Sequence, residues 1–321
     1  MEQKLIVSSS PHLGSGATTQ KIMLDVIIAL IPAAIASCIL FGIQALILIL
    51  TCVISCVLAE YLSRKVMKRD NTIFDLSAVV TGLLLAFNLP ATINPLIAVF
   101  GSVVAIVVVK QMFGGIGQNF VNPALTARIV LMSSFPAKMS NWVVPFWYRS
   151  GNPDAITTAS PLGLLKQGAS DQLPSHLGML LGARAGCLGE TCAIALILGG
   201  IYLVARKVIS PVIPLCYLGT VAVISLIAGR DVIFELLSGG LLLGAIFMAT
   251  DYTTSPINRN GRIVYAIGIL TMLIRMFGSL PEGVSFSIIL MNILVPHIER
   301  ITRPRPFGVK KEKAKKEAAH E

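Results

Sequence analysis

The sequence predicts an all-α integral membrane protein of about ten transmembrane helices. Three observations carry that expectation. Of the 321 residues, 55% are hydrophobic and only 13% are charged, about half the roughly 25% charged content of soluble domains. Mean hydropathy is +0.79. The apolar residues are also gathered into runs near the roughly 20 residues that a membrane-crossing helix needs. A cytosolic enzyme, a secreted disulfide scaffold and a disordered chain are all excluded by these values.

Taken in order, residues 1–21 form a polar N-terminal tail. No short apolar run in it ends at a small-residue cleavage site, so the first span is expected to stay as an uncleaved anchor. Ten apolar segments follow, near 22–42, 44–62, 74–90, 95–110, 122–136, 189–205, 211–229, 232–250, 263–278 and 284–299. The first five make up residues 22–136 and the second five residues 189–299, with a polar loop over 137–188 between them and a basic tail over 300–321. Five crossings per half would place the second half in the membrane inverted, an arrangement that often carries broken helices meeting near the midplane. Two Gly-Leu runs fit such a repeat: Gly82-Leu83-Leu84-Leu85, ending at Asn88-Leu89-Pro90, and Gly240-Leu241-Leu242-Leu243, running towards Asp251 and Pro256. Ordinary membrane composition explains them equally well.

Basic residues set the orientation. The net charge is +10, and Arg300, Arg303, Arg305, Lys310, Lys311, Lys313, Lys315 and Lys316 crowd the last 22 residues. A Lys/Arg-rich tail beside the last span is the mark of the cytoplasmic face, in contact with the lipid surface, rather than of nucleic-acid binding. Arg64, Lys65, Lys68, Arg69, Lys110, Arg206, Lys207, Arg259 and Arg262 fall in the connections on that same side, against Arg230 and Arg275 on the other. Both termini are therefore expected in the cytoplasm and the 137–188 loop outside.

The segment from Gly114 to Ala124, rich in Gly and amides and closed by Asn122-Pro123, breaks the apolar pattern. Backbone freed by Gly and Pro must find partners in protein or water. A re-entrant helix lining a cofactor or ion site and an interfacial turn with helix-start chemistry both satisfy this; the first is modestly favoured. Its glycine spacing lacks the βαβ context of a dinucleotide fingerprint. Ionisable residues in or near spans are read as Asp25, Glu60, Asp75, Asp251 and Arg275, mostly near span ends. Asp251, beside Thr253 and Thr254, is the strongest functional candidate among them. With Asn88, Gln118, Asn119, Asn122 and Thr253 it forms a candidate ion or second-cofactor site. A water-facing helix-terminal Asp251 is an equal alternative. The six cysteines contain no Cys-x-x-Cys pair and the four histidines are scattered, so no metal, iron–sulfur cluster or haem is assigned, nor any catalytic residue.

The sharpest motif is Asp154-Ala155-Ile156-Thr157-Thr158-Ala159-Ser160-Pro161-Leu162, in the long loop. Composition alone would make it a polar turn. Yet it resembles the flavinylation motif D-x-x-[S/T]-G-A-[T/S], in which a transferase moves FMN onto a hydroxyl through a phosphoester. Asp154, Thr157, Ala159 and Ser160 match; Thr158 stands where Gly is usual and Ser160 where Thr is commoner. Ser160 is the expected acceptor, with Thr158 and Thr157 as alternatives. Ser15-Gly16-Ala17-Thr18 matches the motif core more closely, but His12 holds the acidic position and the tail lies on the cytoplasmic side, so it is set aside.

Together, Ser10-Pro11-His12, the Gly114–Ala124 segment, the Asp154–Ser160 motif and Ala249-Thr250-Asp251-Tyr252-Thr253-Thr254-Ser255-Pro256 span nearly the whole chain. In that order they resemble the family of RnfD proteins of the Rnf complex, related to the NqrB proteins of the sodium-pumping NADH:quinone oxidoreductase. The resemblance implies a ten-helix fold similar to urea transporters, in a prokaryotic cytoplasmic membrane. It implies a relay within a ferredoxin:NAD oxidoreductase coupled to Na⁺ or H⁺ translocation. It also implies covalent FMN at Ser160, a second noncovalent flavin (riboflavin or FMN), a flavin transferase, and partner proteins of the complex including its G, A, E and C components. A passive channel or solute carrier, and a structural component without flavin, are the competing expectations.

Overall fold

The computed structural model of the chain describes residues 18–149, 157–168, 173–278 and 282–304. Asp154 and the 15–17 part of the Ser15–Thr18 match lie outside the described residues. Helix α1 (Thr19–Phe41) begins where the Thr18 hydroxyl accepts the Lys21 N–H at 3.3 Å. It ends at Gly42, whose φ of 72° turns the chain into α2 (Ile43–Val66). Both helices carry apolar residues on every side. Ile31, Ile35, Ile39, Ile47, Ile54 and Leu58 face outwards while Leu30, Ala33, Leu48 and Cys52 are buried. A helix that is apolar all round is what a lipid-facing span requires.

The next helices are short. A 3₁₀ turn (Ile73–Asp75) leads into α3 (Ser77–Phe87), and α4 (Pro95–Val103) continues as a π-helical stretch over Val104–Gln111. Then comes α5 (Pro123–Ser134). Asn94-Pro95 and Asn122-Pro123 start α4 and α5 in the same way: the amide oxygen caps the first free N–H groups and the proline takes the first helical position. At 1.5 Å per residue, the 11 residues of α3 reach about 16 Å, roughly half of the hydrocarbon core.

Short pieces fill the connection to the second half. They are α6 (Pro136–Met139), β1 (Trp142–Val143), β2 (Thr157–Thr158), α7 (Pro161–Lys166) and α8 (His176–Leu181). β1 and β2 pair antiparallel, Trp142 opposite Thr158 and Val143 opposite Thr157. The second half holds α9 (Ala193–Ala205), α10 (Val212–Ile227), α11 (Val232–Leu237) and α12 (Leu241–Leu243), the last prolonged by a π-helical stretch over Gly244–Met248. It closes with α13 (Arg259–Tyr265), α14 (Ile269–Phe277) and α15 (Val284–Thr302). Among the described residues, four stretches are long and apolar enough to cross a membrane alone: Thr19–Phe41, Ile43–Val66, Arg259–Phe277 and Val284–Thr302. Shorter apolar helices accompany them, so the protein is a helical membrane protein. The halves join where α1 packs on α9 and α5 on α15.

Three sequence expectations need correction. Residues 183–188 do not belong to a surface loop: Arg184, Cys187 and Leu188 are buried, as are Glu190 and Thr191, which precede α9 rather than open a span. This stretch serves the backbone freed at the end of α3. The Gly189 N–H donates to the Phe87 carbonyl at 3.0 Å and the Leu188 N–H to Leu89 at 3.1 Å. Side chains add the Cys187 thiol donating to the Asn88 carbonyl at 3.2 Å and the Ser37 hydroxyl to the Leu188 carbonyl at 2.7 Å. A broken helix inside a membrane survives only with such partners. Gly189 also permits the approach, because a Cβ there would collide with the Phe87 side chain. Second, Lys110 is no surface marker of the cytoplasmic side; it is 3% exposed. Third, Glu60 and Arg275 are fully enclosed rather than placed at water-facing span ends. Arg128 and Glu235 are buried as well, inside the expected spans 122–136 and 232–250.

Candidate functional site

Two places in the fold bear on function, with a charged layer between them. The first is the 157–163 segment. Ser160 is the N-cap of α7, its Oγ accepting the Gly163 N–H at 3.2 Å, and it is 6% exposed. Thr158 is half-buried and Thr157 pairs through its backbone with Val143. Ala159 supplies a small side chain beside Gly163. Of the two residues whose side chains are described, Thr158 is the more accessible. α7 is seated against the second half, where Leu162 adjoins Gly239 and the Lys166 ammonium donates to the Gly278 carbonyl at 2.5 Å.

The charged layer lies behind Gly239. Arg128, on α5, donates to Asn88 Oδ1 at 2.6 Å and to Glu190 Oε1 at 3.0 Å. Its other nitrogen donates to Glu282 and lies 3.6 Å from the Cys187 sulfur. Arg184 donates to the Leu237 and Glu190 carbonyls. Arg275 binds Glu235 Oε2 at 2.9 Å and the Ser238 carbonyl at 3.0 Å, while Arg230 reaches Glu235 Oε1 at 3.0 Å. Arg128, Arg184 and Arg275 thus face Glu190, Glu235 and Glu282, so the buried charges balance, as a low-dielectric interior demands. Sequence reading missed this layer, because its members come from five separated segments. An Arg inside an apolar span was the available signal.

The second place is a cavity of about 410 Å³ between the halves. Its wall is mostly apolar, with Ile22, Val26, Val80, Leu84, Val208 and Phe247 prominent. Its polar side chains include Ser77, Lys110, Asn119, Asn122, Thr250, Asp251 and Thr253. Both π-helical stretches contribute, through Lys110 and Phe247; such stretches frequently mark functional sites. The Gly114–Ala124 segment is a turn with helix-start chemistry and also part of this wall. Gly114, Gly115 and Gly117 take φ of 127°, 106° and 86°, and Asn122 caps α5 by accepting from Ala124 and Leu125. Asn122 also donates to the Met248 carbonyl at 3.4 Å, tying the two halves. Asp251 accepts from the Thr253 and Thr254 hydroxyls at 3.1 and 3.2 Å.

Of the expected ion or second-cofactor residues, Asn119, Asn122, Asp251 and Thr253 come together on this wall. Asn88 belongs instead to the charged layer, and Gln118 packs beside Gly114. No group of three metal-ligating side chains occurs among the described residues. The size of the cavity and its mostly apolar wall are those of small-molecule sites.

Comparison with known proteins shows the family. The chain is 49% identical to the D component of the Na⁺-translocating ferredoxin:NAD⁺ oxidoreductase complex of Acetobacterium woodii, covering 99% of each chain. It is 43% identical to the D component of the proton-translocating ferredoxin:NAD⁺ oxidoreductase complex of Clostridium ljungdahlii, over 95% of this chain and 96% of that one. It is 39% identical to the D component of the ion-translocating oxidoreductase complex of Stutzerimonas stutzeri, over 91% and 93%. The sequence profile described as the NQR2, RnfD, RnfE family matches residues 6–308, and the chain belongs to that family.

Proposed function

We propose that this chain is the D-type membrane component of an ion-translocating ferredoxin:NAD⁺ oxidoreductase, and that it relays electrons through bound flavin. FMN is attached by a phosphoester to the 157–160 segment, at Ser160 or Thr158, and a noncovalent riboflavin or FMN occupies the inner cavity. A flavin supplies one- and two-electron redox chemistry when bound. The protein's own residues supply the rest. Asp154 and Ala159 present the acceptor hydroxyl to the transferase. Leu162 and Lys166 hold α7 against the second half. Asn119, Asn122, Asp251 and Thr253 give the cavity its polar edge. The observation carrying the reading is that cavity: it lies between the halves, walled by residues of both.

In this reading ten helical segments cross the membrane as two inverted halves, with both termini cytoplasmic and the 157–163 segment outside. Two features support the inversion. Asn88, closing one Gly-Leu run, meets Met248, closing the other, with 3.7 Å from Nδ2 to Sδ. Each half also carries a buried cation bound at a serine ahead of its Gly-Leu run: Lys110 at the Ser77 hydroxyl, and Arg275 at the Ser238 carbonyl. The G, A, E and C components of the complex complete the electron path, and Na⁺ or H⁺ is the translocated ion. A passive channel fits less well, because Arg128 and its carboxylates fill the space between the two Gly-Leu breaks.

The test is in-gel fluorescence of the denatured protein, co-expressed with a flavin transferase. A fluorescent wild type and a dark Ser160→Ala variant support covalent flavin at Ser160. Fluorescence lost only in Thr158→Ala moves the acceptor. A dark wild type overturns the flavoprotein reading.

A further inference from the structure

The inner cavity contains one basic side chain among its described lining residues, Lys110, and its environment is closely arranged. Lys110 is 3% exposed and belongs to the π-helical stretch that widens the end of α4. Its ammonium donates to Glu60 at 2.8 and 3.1 Å and to the Ser77 hydroxyl at 2.6 Å. Glu60 is wholly buried on α2 and does not line the cavity; it also accepts from the Thr72 hydroxyl and the Gln111 amide, each at 3.0 Å. Ser77 opens α3 and donates its own proton to Asp75 at 2.5 Å. The arrangement is layered: a cation at the wall, its counter-charge behind it, and neutral donors fixing that counter-charge.

A buried ion pair contributes little to stability compared with an apolar pair of the same volume. An intramembrane lysine is expensive and calls for a role. At the wall of a low-dielectric chamber a charge acts strongly on whatever occupies it. We propose that Lys110 sets the specificity of the cavity: it selects an electron-accepting ring whose acidic edge becomes anionic on reduction, and it binds the reduced ring more tightly than the oxidised one. The electron arrives from the low-potential donor of the complex, and the ammonium offsets the negative charge gained by the ring. Glu60 moderates the effect from behind. This rests on the reading of the cavity as a flavin site and adds the residue that controls it.

The test uses the protein in its assembled complex, with covalent flavin on denaturing gels as the folding control. Noncovalent flavin is extracted and counted, and its midpoint potential is measured in wild type, Lys110→Gln, Glu60→Gln and the double variant. Lys110→Gln leaves the Glu60 carboxylate uncompensated and should lower the preference for the reduced ring by about tenfold or more; tenfold corresponds to about 59 mV for one electron. Glu60→Gln leaves the ammonium uncompensated and should shift the potential in the opposite direction. A structural tie alone would give losses of the same sign in both. If Lys110→Gln fails to assemble, the double variant removes both charges together, and Glu60→Gln still carries the sign. Extractable flavin with an unchanged potential in both single variants overturns the role of Lys110. A wild type with covalent but no extractable flavin overturns both this role and the cavity assignment.

Discussion

Removing Arg128 tests the charged layer most directly. In Arg128→Met the side-chain volume is largely kept, but Glu190 and Glu282 lose their cation, and Asn88 loses a 2.6 Å donor. All three acceptors are buried, at 2%, 8% and 1% exposure. Breaking a buried ion pair from one side costs about 3–5 kcal/mol, because the partner charge is left uncompensated. Arg184 and Arg275 lie in the same layer and offset part of the field, which favours the lower end of that range. At about 2 °C per kcal/mol for a chain of this size, the melting temperature should fall by about 6–10 °C. The assay is thermal unfolding of the detergent-solubilised complex, followed by the loss of this chain from the soluble fraction. Glu282→Gln added to Arg128→Met should recover part of the loss, since it removes one stranded charge. An Arg128→Met protein whose melting temperature matches wild type, or a double variant less stable than Arg128→Met, would refute the argument that this layer is a mutually compensating set.

Other outcomes follow from the same geometry. Asn122→Ala removes the cap of α5 and the bond to the Met248 carbonyl; it should cost about 1–2 kcal/mol, measured by thermal unfolding. Gly189→Ala places a methyl group against Phe87 at the break after α3, and overpacking of this kind should cost about 1–3 kcal/mol in the same measurement. Asp251→Asn alters the polar edge of the inner cavity and should change the number of ions moved per electron pair in reconstituted vesicles. Gln118→Ala, away from the cavity wall, should leave that number unchanged; wild-type stoichiometry in Asp251→Asn would remove Asp251 from the ion path.

Much of the fold is legible in the sequence because lipid imposes a simple rule. Backbone polar groups must be satisfied within the segment, so apolar runs become helices. The run at 22–42 is α1 within a few residues, and the run at 284–299 is α15. The Asn-Pro pairs at 94–95 and 122–123 signal helix starts by local chemistry alone. Part of the inner cavity wall is also legible: Asn119, Asn122, Asp251 and Thr253 stand out as polar residues in apolar context. Lys110 was misplaced for a physical reason. A lysine at the end of an apolar run looks the same whether it reaches water or a buried glutamate 50 positions earlier.

The sequence by itself determined that this chain lives in a membrane, that its helices are interrupted by Gly, Asn and Pro, and which family it joins. Those properties depend on composition and on neighbours a few residues apart. Only the tertiary structure decided where the interruptions meet. The 183–192 stretch, read as loop up to 188, folds inwards to satisfy the end of α3, and Arg128 gathers Asn88, Glu190 and Glu282 from three distant segments. The physical reason is that a buried charge or a freed carbonyl requires a partner but leaves no local mark of which one. The partner is fixed by packing across the two halves, and no spacing along the chain encodes it.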